Sequence, residues 1–150
     1  MVYENNLLNL IREFDPEATM AHLSYNQTIE APCNVRPDDG VFLEYAPLGR
    51  DYSQPLTPEM LDALKDNLLA FPANTFHVLE YWLDESMFCG WKRDGLVPLP
   101  FGMDEWSRDI AMYRSLGAAD FTTFATWLYG DYLKQYGSTE QIFTQYGAAL

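Results

Sequence analysis

Apolar positions along this chain follow two spacings, one helical and one strand-like. From Tyr3 to Phe14 they recur on one helical face as Leu7, Leu8, Ile11 and Phe14. Asp15-Pro16 ends the run, because the residue before a proline is pushed out of the helical region. Thr19 to Tyr25 (TMAHLSY) and Val41 to Ala46 (VFLEYA) read as strands, separated by a polar loop from Asn26 to Asp39 that carries Pro32 and Pro37, with Gly40 following. Thr57-Pro58 predicts a helix start, an oxygen cap followed by a proline whose φ already suits a helix. That helix runs to about Ala70 with Met60, Leu61, Leu64 and Leu68 on one face. Thr75 to Trp82 is a third strand, and a long loop through Pro98, Pro100 and Gly102 follows; loops of that length are usually functional. Asp104 is placed to cap the next helix, whose Trp106, Ile110 and Tyr113 form a stripe ending at Leu116-Gly117. Asp120 to Trp127 is a fourth strand. A short helix from Gly130 to Tyr136 and a last one, opened by Ser138 with Gln141 and running to about Ala149, complete the chain.

Strands alternating with helices predict an α/β fold with four parallel strands and flanking helices in a single domain spanning residues 1–150. Only the first strand-to-strand link lacks a clear helix, and its length of about 14 residues barely suffices for a parallel crossover. A closed eight-stranded β/α barrel takes about 250 residues, so four strands amount to half of one. A half barrel has two free edges and an uncovered inner face. The chain therefore forms a homodimer, belongs to a longer protein, or folds as an independent open sheet.

Charge narrows the partners. The net charge of −13 disfavours nucleic acid, whose phosphates need a basic patch, so nucleic acid is not expected. No stretch approaches the ~20 apolar residues of a membrane span. The opening MVYENNLLNL lacks a basic region and a long apolar run, so the expected location is cytoplasmic, or secreted or periplasmic if upstream sequence carries a leader. Cys33 and Cys89 have no metal or CxxC spacing and read as reduced thiols, and His22 and His77 as strand histidines; no metal or cofactor is expected.

The chemistry concentrates in TFHVLEYWLDESMFCGWKR, Thr75 to Arg93. An apolar strand there runs out into Glu80, Tyr81, Trp82, Asp84 and Glu85, and α/β proteins bind ligands beyond the carboxyl ends of parallel strands.

Three segments, VRPDDGVFLEYAPLGRDYSQPL, VLEYWLDESMFCGWKR and YRSLGAADFTTFATWLYGDY, resemble the C-terminal part of a group of glycoside-hydrolase-like proteins without a catalytic assignment of its own, neighbours of α-glucuronidases and β-hexosaminidases. The resemblance spans Leu7 to Leu150 and implies that the four strands are the second half of a TIM-type (β/α)8 barrel, with the N-terminal half absent from this chain. It makes carbohydrate the expected partner and the strand ends the expected pocket. Glycoside hydrolysis needs one protonated and one ionised carboxyl group. Glu80 and Glu44, strand acids flanked by apolar residues, are the candidates for acid and base, with Asp84 as a secondary acid. The alternative for Glu80 and Glu44 is a structural role as buried, hydrogen-bonded acids. Trp82, Trp91 and Trp127 are candidates for stacking on sugar, with Asn26, Tyr45 and Tyr81 supplying polar contacts. Arg36, Arg50, Lys92 and Arg93 follow strands and can hold a substrate carboxylate or pair with neighbouring acids. Three functions remain open: a glycoside hydrolase, active or inactive as this chain alone; a non-catalytic carbohydrate-binding or protein-interaction module; and a scaffold whose aromatic face is an oligomer interface.

Overall fold

The computed structural model describes residues 1–100 and 102–150. Its core is a four-stranded sheet, β1 (Met20–Ser24), β2 (Val41–Tyr45), β3 (His77–Glu80) and β4 (Asp120–Thr123), ordered β1-β2-β3-β4. Every neighbouring pair is parallel. This is the expected α/β sheet, with each strand shorter than the apolar run that encodes it. The link from β1 to β2 crosses with a single 3-10 turn, Asn26–Thr28, and no α-helix.

Register and period-two alternation assign each strand residue to a face. Val41, Leu43 and Tyr45 are fully buried, and Tyr45 stands opposite Val78. Val78 and Glu80, both fully buried, therefore share the face of Tyr45. His22, opposite Leu43, joins them.

Helices cover that face. α1 (Val2–Ile11) places Glu4 Oε1 2.8 Å from His22 Nδ1 and buries Leu8. α2 (Pro58–Leu68) starts where the Thr57 hydroxyl accepts the Met60 amide, and its Met60 carbonyl accepts the Tyr45 hydroxyl. α3 (Glu85–Phe88) is a single turn in the loop after β3. α4 (Met103–Ser115) packs Trp106, Ile110 and Tyr113 inward, and Tyr113 meets Tyr45 edge-on. Asp104 lies inside α4 and not at its cap; Glu105 accepts the Gly102 amide there. α5 (Asp131–Tyr136) is short, and α6 (Glu140–Ala149) sets Tyr146 against Trp82 and Trp106.

The opposite face carries Leu23, Phe42, Glu44, His77, Leu79 and Thr122, all half-buried or exposed. Phe42 and His77 meet there as tilted rings with centroids 4.6 Å apart. Among the described residues no helix covers it, and no helix is long and apolar enough to cross a membrane. Both cysteines are free thiols.

Candidate functional site

Two polar constellations flank the end of β3, one on each face of the sheet. On the helix side, Arg50 Nη2 donates to Glu80 Oε1 at 3.0 Å and also to Asp109 Oδ2. The Tyr113 hydroxyl donates to Glu80 Oε1, and Trp82 Nε1 to Asp109 Oδ2 at 3.3 Å. Arg108 closes the cluster from α4, its Nε donating to Asp109 Oδ1 at 2.9 Å. The side chains of Arg50, Glu80 and Asp109 are at most 2% exposed. Burial pushes the Glu80 carboxyl up to about 7, against the pull of Arg50 and the Tyr113 hydroxyl. The same burial, with Glu80 alongside, holds the Tyr113 phenol well above its usual range.

This cluster corrects several sequence expectations. The fold sets Glu80 and Glu44 on opposite faces of the sheet, Glu80 under α4 and Glu44 half-buried on the bare face, and so does not bring the expected acid and base together. Tyr45 and Trp82 are fully buried, engaged by the Met60 carbonyl and by Asp109, on the helix side of the sheet. Arg50 is buried in ion pairs with Glu80 and Asp109, the alternative of pairing with acids rather than with a substrate carboxylate.

On the bare face, the ends of β1, β3 and β4 open into a cleft of about 410 Å³. Tyr25, Tyr81, Asp84, Trp91 and Phe124 line it, with Leu23 and Leu79 as its apolar floor. Phe124 stacks on Tyr81 at 5.2 Å. Asp84 is 4% exposed, and Ser86 Oγ donates to its Oδ1. Trp91 is 65% exposed, yet its backbone is held at φ +64, after Gly90 at the same φ, by a 2.8 Å bond from its amide to the Ser86 carbonyl. Left-handed backbone is costly for a bulky residue, and such strain clusters where a side chain must be presented. Of the sequence candidates, Tyr81, Asp84 and Trp91 are thus brought together.

The others lie apart. Trp127, also at positive φ, sits under the Arg93 guanidinium, which donates to the Tyr129 hydroxyl at 3.4 Å. These residues line a separate hollow with Asp131. Lys92 is exposed, and Asn26 lines a groove with Pro47 and Met60 beside α2. Arg36 donates to the Leu69 carbonyl. Sequence reasoning missed Tyr113 as a partner of Glu80, and Asp109 and Arg108 as the acid and the second cation of the cluster around Arg50. The available signal was an acid, Asp109, in the middle of the apolar Trp106–Ile110–Tyr113 stripe. Among the described residues no group of His, Cys, Asp or Glu is placed to hold a metal. No family model, curated protein or solved structure matches the chain, so the chemistry of the cleft carries the functional reading.

Proposed function

We propose that this chain is a carbohydrate-active, glycoside-hydrolase-like domain that binds a sugar in the cleft at the C-terminal ends of its strands. The observation that carries this reading is Trp91, an exposed ring in left-handed backbone beside a nearly buried carboxylate, Asp84. Flat aromatic surfaces stack on the apolar faces of sugar rings, and a carboxylate accepts hydrogen bonds from their hydroxyls. The wider frame is half of a β/α barrel. Sequential parallel strands, helices on one face and a bare opposite face of mixed apolar and polar residues support it. The bare face is completed by a second β/α half, supplied by another copy of this chain or by a further N-terminal segment.

Binding without turnover is the second reading, favoured by the withdrawal of Glu80 into the Arg50–Asp109 cluster. Hydrolysis requires two carboxyl groups, and of the three candidates only Asp84 lines the cleft. Calorimetric titration with neutral, amino and acidic oligosaccharides tests the proposal. Trp91→Ala is expected to weaken binding about tenfold, the scale of one lost aromatic contact. Glu80→Gln should leave affinity unchanged. Binding indifferent to Trp91→Ala removes the cleft as the site.

A further inference from the structure

The cleft holds an acid but no cation. Asp84 is 4% exposed and lines the cleft, and its Oδ1 is satisfied by a neutral hydroxyl, that of Ser86. Among the described residues Oδ2 receives no hydrogen bond. No Lys or Arg lines the cleft. Arg50, which follows β2, is spent on the opposite face, and Arg93 lies over Trp127. A second carboxylate, Glu44, shares the bare face. Burial, then Tyr25 and the carboxylates of Glu80, Asp84 and Glu44, push the Tyr81 hydroxyl up to about 12. The cleft is therefore electronegative as well as aromatic.

A nearly buried carboxylate with one neutral donor is costly to desolvate further unless a positive group arrives to pair with it. Aromatic faces add to the same preference, since a cation within about 6 Å of a ring is attracted by its quadrupole. A uronate would bring a negative group against Asp84. From this arrangement, and resting on the carbohydrate reading above, we infer that the cleft selects an amino sugar with a free ammonium. The ammonium pairs with Asp84 while the sugar ring lies on Trp91.

The test is calorimetric titration of the whole chain, in buffer acidic enough to protonate the amine, with three oligosaccharides of equal length: glucosamine, N-acetylglucosamine and glucuronate. Glucosamine is expected to bind about tenfold tighter than its N-acetylated counterpart, the scale of one charge-assisted contact, with no glucuronate binding. Asp84→Asn should erase that preference while Trp91→Ala weakens all binding. In the unaltered protein the preference should also shrink with added salt and above the pKa of the amine, which tests the inference even if Asp84→Asn does not fold. Equal affinity for the amine and its acetylated form, with Trp91→Ala still harmful, overturns the ammonium site and leaves carbohydrate binding standing. Failure of every sugar to bind the folded protein overturns both.

Discussion

Glu80 ends β3 fully buried, its Oε1 shared between the Arg50 guanidinium and the Tyr113 hydroxyl. Its carboxyl is raised from the ordinary 4.5 to about 7, so the folded chain holds this proton more tightly than the unfolded chain. The resulting stability is fully present below about pH 4.5, declines as pH rises towards about 7, and is gone above it. A shift of that size is worth a few kcal/mol across the window. Thermal melts of Glu80→Gln, which cannot titrate, should lose this downward slope between those pH values; an unchanged slope would assign it to other groups. The facing of both strand acids was legible in the chain. Val41, Leu43 and Tyr45 set the inward parity of β2 and leave Glu44 outward, whereas Phe76 and Val78 set that of β3 and carry Glu80 inward. Polarity alone treats the two acids as equivalent, and only the parity of their neighbours separates them.

The elements differ in how openly they are encoded. α2 is marked at its start by Thr57-Pro58 and along its length by Leu61, Leu64 and Leu68, and it forms within two residues of the expected bounds. The segment after β3 has no such periodicity, and its single turn, α3, is held by tertiary bonds that no local spacing announces. Glu85, fully buried, accepts the Val97 amide on Oε1 at 2.7 Å, and its own amide donates to the Thr126 carbonyl at 3.2 Å. The first bond ties the two ends of the loop that carries Trp91. Glu85→Ala strands the Val97 amide at a cost of about 1–3 kcal/mol. Amide exchange should quicken between residues 85 and 97, and sugar affinity should fall because Trp91 loses its fixed setting. Glu85→Gln, whose carbonyl can still accept, should largely restore both; slow exchange in the alanine variant would show that the loop is held elsewhere.

At the scale of the whole molecule, alternation of strand and helix patterns was enough to read the parallel sheet, but not what lies against its second face. All-parallel sheets are normally covered on both faces. Here α1, α2 and α4 occupy one face, while Leu23 is 39% exposed and Phe124 44% exposed on the other. β1 and β4 are both free edges, and strands running in the same direction allow β4 of one copy to pair with β1 of another. Two copies joined twice in this way would place their bare faces inward and their helices outward, with both clefts at the same end. Light scattering of the purified chain should then give a dimer that melts in one cooperative transition. Leu79→Lys puts a charge at the centre of the bare face, where a half-buried side chain of a lone sheet tolerates it and a closed interior does not. The variant is expected to run as a monomer with unchanged far-ultraviolet circular dichroism and a lower Tm. A wild-type chain that is monomeric at all accessible concentrations and melts cooperatively would rule out closure by a second copy, leaving a further segment as the proposed cover for the face beside Asp84 and Trp91.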